Sequence, residues 1–134
     1  MVDEPRVTWR YKLSTKANDK VKDGKKMESE CGNYRLRLHE KGNLVLYKMN
    51  ADEHGDRALW CSNTEGKGTG PYHLRMQEDG NLVVYDSEDQ PTWASDTCDA
   101  EAGPFKLILQ NDGNLVIYNA AKDAVWASNT MQTE

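Results

Sequence analysis

Apolar side chains recur at every second position in three stretches of this chain, and each stretch is broken by a glycine. In the last of them, Leu107, Leu109, Leu115 and Ile117 share one parity, and Gln110, Asp112, Asn114, Val116 and Tyr118 share the other. A period of two marks a strand with one face against a core. Between the two halves, Asn111-Asp112-Gly113-Asn114 reads as a tight hairpin turn, because glycine accepts a positive φ. The inward set is Leu74, Met76, Leu82 and Val84 in the middle stretch, and Leu36, Leu38, Leu44 and Leu46 in the first. No stretch of useful length follows a helical period, and Gly and Asn punctuate the chain throughout. The pattern predicts an all-β fold.

The three hairpins are copies of one another, over Tyr34 to Tyr47, Tyr72 to Tyr85 and Phe105 to Tyr118. Each is followed by a tryptophan block: Trp60-Cys-Ser-Asn-Thr64, Trp93-Ala-Ser-Asp-Thr97 and Trp126-Ala-Ser-Asn-Thr130. The tryptophans fall 33 residues apart both times. The step from Tyr to Trp is 8 residues in repeats two and three but 13 in repeat one, so repeat one carries a five-residue insertion, expected as a loop over Asn50 to Asp56. One such hairpin cannot bury its apolar face alone, whereas three packed around a pseudo-threefold axis can. Trp60, Trp93 and Trp126 are then expected to meet near the axis, as core rather than as ligand contacts. Residues 13–33 read as the opening strands of repeat one, with two short strands around Asp23-Gly24. Val7-Thr-Trp-Arg-Tyr11 alternates and is expected to pair as an edge strand. The organisation expected is an extension over 1–12 and one domain over 13–134, with repeats at about 13–64, 65–97 and 98–134.

A chain of 134 residues suits a single domain. No apolar run approaches the ~20 residues of a membrane helix, so no membrane insertion is expected. The net charge of −5 argues against nucleic acid as a partner. Locally the balance reverses: Arg10, Lys12, Lys16, Lys20, Lys22, Lys25 and Lys26 stand against Asp19 and Asp23. That segment reads as a solvated face of strands and turns, with a polyanion-binding patch as the sharper alternative. Cys31, Cys61 and Cys98 are odd in number, so at least one thiol is free or pairs between chains. With no Cys-x-x-Cys, they are expected as reduced thiols; one bridge plus one free thiol stays open. The acidic start Met1-Val2-Asp3-Glu4-Pro5 is no signal peptide, and a cytoplasmic protein, or one secreted without a signal peptide, is expected.

The outward parity carries the chemistry. Repeat two presents Gln77, Asp79, Asn81, Val83 and Tyr85, and repeat three presents Gln110, Asp112, Asn114, Val116 and Tyr118. Asp and Asn beside Gly are ordinary turn residues, and Val and Tyr are good strand residues. Turn chemistry does not explain the Gln and the Tyr at the same offsets twice. Two amides, a carboxylate and a phenol supply donors and acceptors that can span neighbouring hydroxyls. The valine offers an apolar contact to the C–H face of a sugar.

Gln77-Glu-Asp-Gly-Asn-Leu-Val-Val-Tyr85 and Gln110-Asn-Asp-Gly-Asn-Leu-Val-Ile-Tyr118 resemble the QxDxNxVxY signature of the monocot mannose-binding (bulb-type, snowdrop-like) lectin family. The tryptophan blocks are similar to that family too, and the resemblance covers roughly residues 13–130. It implies a bulb-type lectin domain with a β-prism II fold: three four-stranded antiparallel sheets with pseudo-threefold symmetry. It implies binding of mannose-containing glycans or glycoproteins, with no metal, no cofactor and no catalysis. On these positions Asp79 and Asn81 would bind the axial O2 of mannose, Gln77 the O3 and Tyr85 the O4, with Val83 touching C3 and C4. Asp112, Asn114, Gln110, Tyr118 and Val116 would do the same in repeat three. The resemblance further implies a homodimer made by exchanging C-terminal strands, here the segment Trp126 to Thr130.

Repeat one departs from the signature. His39 stands where Gln belongs and Lys41 where Asp belongs, while Asn43, Val45 and Tyr47 remain. Lysine has no acceptor, so this third site is expected to be dead or weak for mannose. Plant members often carry a disulfide bracketing the first hairpin, and Gly42 occupies one of those places here. Enzyme motifs are missing: His39, His54 and His73 are scattered, and no Gly-x-Ser-x-Gly, phosphate loop or His-Glu-x-x-His occurs. Two competing readings stand beside the lectin. One is a β-prism protein-interaction module with residual or no sugar binding, favoured by the decayed repeat one and the basic segment. The other is a β-trefoil, whose repeats run longer and carry a different Gln-x-Trp signature.

Overall fold

The computed structural model describes residues 12–14, 20–22 and 26–132. The chain opens with three three-residue strands, β1 (Lys12–Ser14), β2 (Lys20–Lys22) and β3 (Lys26–Glu28). Repeat one follows with β4 (Tyr34–Leu38), β5 (Leu44–Asp52) and β6 (Gly55–Cys61). Repeat two supplies β7 (His73–Met76), β8 (Leu82–Tyr85) and β9 (Pro91–Ala94), and repeat three β10 (Lys106–Leu109), β11 (Leu115–Tyr118) and β12 (Ala124–Ala127). They form three four-stranded antiparallel sheets, ordered β3-β4-β5-β6, β2-β7-β8-β9 and β1-β10-β11-β12. The last strand, β12, pairs with β11 of its own chain.

The opening strands do not all belong to repeat one, as their sequence position suggested. One joins each sheet, in reverse order: β3 lies beside β4, β2 beside β7 and β1 beside β10. Each repeat leaves the first strand of its hairpin with an unpaired edge, and such an edge takes a partner. A strand of three residues fixes which side chain faces inward but not which neighbour it meets. Leu13 stands opposite Leu107 and Met27 opposite Leu36, and both are fully buried. Asp23-Gly24, the Val7 to Tyr11 segment and most of the basic stretch lie outside the described residues.

The inward set of every hairpin forms the core. Its twelve side chains are at most 2% exposed, which confirms the parity read from the sequence. Each buried aliphatic side chain contributes about 1.5–3 kcal/mol. Trp60, Trp93 and Trp126 meet as a ring of edge-to-face pairs, with centroids 5.3, 5.7 and 5.8 Å apart. Such pairs add roughly 0.5–1.5 kcal/mol each beyond burial. The three half-buried indoles close the prism against the core.

The insertion of repeat one is not a loop but an extension of the hairpin. β5 runs on to Asp52 and returns at Gly55, with a register irregularity between Lys48 and Asp52. Asn50 has φ 50° there, its N–H donates to Asp56 Oδ1 at 2.9 Å, and the His54 N–H donates to Asp52 Oδ1 at 2.7 Å. Aspartates holding nearby N–H groups let a polar insertion continue as a ladder.

A second threefold device ties the repeats together. Each opening aromatic packs under the turn glycine of another repeat: Tyr72 under Gly42, Phe105 under Gly80, Tyr34 under Gly113. A Cβ on Gly42 would stand 2.7 Å from the Tyr72 ring, and one on Gly80 3.0 Å from Phe105. The three turn glycines share φ 92°, so conformation and packing both require glycine.

Candidate functional site

The site is built on the hairpin tip. In repeat two the Gly80 N–H donates to Gln77 O at 3.0 Å and the Gln77 N–H to Asn81 O at 2.9 Å. These bonds close a three-residue loop, a turn followed by a left-handed glycine. They bring Gln77 and Asn81, four residues apart, directly across the mouth. Repeat three has the same two bonds, each 3.0 Å, between Gly113 and Gln110 and between Gln110 and Asn114.

Tyr85 reaches the mouth from the far end of β8. A register shift falls between Val84 and Tyr85, and its counterparts fall between Ile117 and Tyr118 and between Leu46 and Tyr47. A bulge re-aims the side chain beside it. The Gln77 amide accordingly donates to the Tyr85 hydroxyl. In repeat three the Gln110 amide lies between two groups. With its oxygen accepting from Tyr118, its nitrogen donates to Asp112 Oδ1 at 3.1 Å and Oδ2 at 3.2 Å.

The asparagine is oriented by the tryptophan block. Asn81 Oδ1 accepts from Ser95 Oγ and from the Thr97 N–H, each at 3.2 Å. Ser95 Oγ also accepts from the Leu82 N–H at 3.0 Å and shares a 2.7 Å bond with Thr97 Oγ1. Thr97 Oγ1 donates to Gly80 O at 2.7 Å. Asn114, Ser128, Thr130 and Gly113 reproduce the arrangement, with 3.3, 3.3 and 2.7 Å bonds. The residue between Ser and Thr is left-handed in all three repeats, with φ 57° at Asn63, 59° at Asp96 and 58° at Asn129. Asn and Asp tolerate that conformation best among non-glycine residues. Ser95, Thr97, Ser128 and Thr130 are positioning residues that the outward parity did not reveal. Their signal was present: a Ser and a Thr at the same two steps past each tryptophan.

With the asparagine oxygen engaged, its Nδ2 group is the part left to face a ligand as donor. Asp79 Oδ1 accepts the Asn81 N–H at 2.9 Å, which leaves its second oxygen as an acceptor; Asp112 Oδ1 accepts that of Asn114, and its second oxygen is shared with the Gln110 amide nitrogen at 3.2 Å. Donor and acceptor side by side match a hydroxyl, which offers both. The valines are not open patches: Val83 is 3% exposed and Val116 2%, so they floor the site. Their face toward a ligand is limited to a narrow apolar contact.

Repeat one keeps the scaffold and changes the chemistry. Asn43 Oδ1 accepts from Ser62 Oγ at 3.2 Å and the Thr64 N–H at 3.3 Å, and Thr64 Oγ1 donates to Gly42 O at 2.8 Å. His39 takes the place of Gln with the same partner, its Nε2 lying 2.7 Å from the Tyr47 hydroxyl. Desolvation, then the Arg37 charge, lowers the His39 pKa, and Glu65 opposes the shift. Desolvation raises that of Tyr47, with Arg37 opposing. Lys41 stands at the carboxylate position, and Val45 is again buried. A concavity of about 520 Å³ opens here, lined by Arg37, His39, Lys41, Asn43 and Tyr47 together with Glu40, Val45 and Glu65.

Among the described residues no group of three His, Cys, Asp or Glu side chains is placed to hold a metal ion. Cys31, Cys61 and Cys98 stand as separate thiols.

A three-sided prism of four-stranded antiparallel sheets, each with a polar hairpin face turned outward, defines a β-prism II lectin fold. Solved structures agree with it in sequence as well as shape. A monomeric monocot mannose-binding lectin from Gastrodia elata is 38% identical, over 90% of this chain and 98% of that one, with a TM-score of 0.76. A Marasmius oreades lectin is 32% identical over 91% and 92%, also at 0.76. The mannose-specific agglutinin of snowdrop (Galanthus nivalis), complexed with methyl α-D-mannoside, is 34% identical over 92% and 99%, at 0.68. No family model matches the chain, and a search of curated proteins gave no match either. The chain belongs to the monocot mannose-binding, bulb-type lectin family.

Proposed function

We propose that the protein is a lectin that binds terminal α-mannose on glycans or glycoproteins through repeats two and three, without catalysis. One observation carries this reading. Both hairpins bring an amide, a carboxylate, an oriented asparagine amide and a phenol to one outward face, over a buried valine. In each, the carboxylate accepts the backbone N–H of the asparagine two residues on, so an acceptor and an amide donor are available for one axial hydroxyl. The binding of mannosides by members such as the snowdrop agglutinin supports the assignment. Asp79 and Asn81 would then hold O2, Gln77 O3 and Tyr85 O4, with the corresponding residues of repeat three doing the same.

Sites this open bind a monosaccharide weakly, near millimolar, or about −4 kcal/mol. Useful avidity comes from two sites engaging one glycan surface. The test is calorimetric titration with methyl α-mannoside against methyl α-glucoside, which differ only at C2. Saturable mannoside binding, unmatched by the glucoside and abolished in Asp79→Ala/Asp112→Ala, supports the reading. Absence of binding at tens of millimolar leaves a β-prism that recognises protein or larger glycans instead.

A further inference from the structure

We propose that the repeat-one hairpin is a site for an anionic sugar, carrying a carboxylate or a sulfate, and not a decayed copy of its neighbours. The supports of the neighbouring sites also hold the turn backbone, so a hairpin that keeps them presents a formed platform to whatever ligand its side chains suit. Here all of them are in place. The Ser62 and Thr64 bonds orient Asn43 as their counterparts orient Asn81, and His39 holds the Tyr47 hydroxyl as Gln77 holds that of Tyr85. Val45 is 5% exposed and floors the hairpin like Val83. What has changed is the sign of the ligand-facing group at the tip, from Asp79 and Asp112 to Lys41.

The concavity at this tip adds a second cation. Arg37 stands opposite Val45 in the ladder and lines the cavity with Lys41. Both side chains are exposed, and neither is in an ion pair with a described residue, although Glu40 and Glu65 also line the space. The neighbouring cation Arg35 is by contrast bound to Glu28 at 2.9 Å. Arg37 also borders an adjoining hollow of about 210 Å³ with Lys26, Arg35, Tyr47, Met49 and Asp56, where three cations face one carboxylate. A guanidinium fork suits the planar oxygens of a carboxylate or the face of a sulfate, and an ammonium adds a point charge. The Asn43 amide, the Tyr47–His39 couple and the Glu65 carboxylate remain for the hydroxyls of the ring. The site takes a pyranose with one negative charge, the charge lying toward Arg37 and Lys41.

The three histidines are local reporters. His39 belongs to this site, His73 stacks on Tyr85 of repeat two at 5.3 Å, and His54 lies exposed at the tip of the extended hairpin. Their ring C–H signals are followed by NMR in the whole chain at mildly alkaline pH, where His39 is neutral. The titrants are methyl β-glucuronide, glucose 6-sulfate, methyl β-glucoside, inorganic sulfate and methyl α-mannoside. The expected result is a saturable His39 shift with the glucuronide, the sulfated sugar or both, and none with the neutral glucoside. The two anionic arms identify which charge is preferred. In Arg37→Ala/Lys41→Ala the dissociation constant should rise about tenfold or more, as loss of two charge-assisted contacts demands. His73 keeping its parent chemical shift in that variant, set by the stack on Tyr85, shows that the prism is folded. Four results overturn the proposal: no saturable His39 shift with either anionic sugar, an equal shift with the glucoside, inorganic sulfate binding as tightly as the sugars, or an unchanged dissociation constant in the folded double variant. Because the mannoside is read at His73 and the anionic sugar at His39, each assignment can fail alone.

Discussion

Tyr34, the first residue of repeat one, lies under Gly113 in the turn of repeat three. A Cβ on Gly113 would stand 2.7 Å from Tyr34 Cε1. Repeat one therefore supports the hairpin tip on which Asp112 and Asn114 sit.

Gly113→Ala should be strongly destabilising. A left-handed non-glycine residue costs about 1–3 kcal/mol, and overpacking adds roughly 1–3 kcal/mol. Gly55→Ala has the same backbone problem at φ 97° but meets nothing within 4 Å. Urea unfolding of both variants should give Gly113→Ala the larger loss, and equal losses would show that the aromatic contact contributes nothing.

Thr97→Val preserves shape and removes the hydroxyl that donates to Gly80 O at 2.7 Å. Leaving that carbonyl unpartnered should cost about 1–3 kcal/mol. Mannoside binding should weaken at repeat two alone, since Thr130 does the same work for repeat three independently. An NMR titration that follows the two sites separately checks this.

On the proposed function, Asp79→Ala should abolish methyl α-mannoside binding at repeat two and leave binding at repeat three unchanged. An NMR titration that follows His73, stacked on Tyr85, reads repeat two directly, and an undiminished His73 response would remove Asp79 from the site.

His39→Gln/Lys41→Asp rebuilds the missing amide and carboxylate beside Asn43 and Tyr47, which are already oriented. The variant should gain a third methyl α-mannoside site with affinity near that of repeats two and three. A stoichiometry unchanged from the parent would mean that Arg37, Glu40 or Glu65 blocks the pose.

Acid should weaken the fold through His39. Its folded pKa lies below the ordinary value of 6.5, through desolvation and the Arg37 charge, so the unfolded chain binds more protons near that pH. Its contribution is fully present above pH 6.5 and is lost as pH falls from there through the lower folded value. Melting temperatures across that window should fall less steeply in His39→Gln. Tyr47 works in the other direction, its raised pKa removing stability as pH climbs past 10.0.

Much of this was legible in the sequence because strand parity is a local property. The twelve inward side chains and the glycine turns follow from spacing within one repeat, and the meeting of Trp60, Trp93 and Trp126 follows from the recurrence of that repeat three times. The outward parity of Gln77, Asn81 and Tyr85, and of their counterparts in repeat three, was legible for the same reason. The partners of β1, β2 and β3 were not, since Lys-Leu-Ser and Lys-Val-Lys carry alternation but no address. The burial of Val83 and Val116 was hidden because outward parity does not say how much a neighbouring Tyr and Gln cover. Ser95 and Thr97 act through Asn81, a contact between strands that no periodicity within one strand can show.

The reversed order in which the first three strands are distributed bears on how the protein is made. As the chain leaves the ribosome, β3 finds β4 almost at once, but β2 must wait for β7 and β1 for β10. Leu13, fully buried in the finished prism, has no ladder partner until Leu107 has been synthesised. Long-range closures of this kind are slow and leave apolar surface exposed meanwhile. Synthesis therefore completes the sheets in the order one, two, three, and the earliest residues of the domain are the ones that seal it.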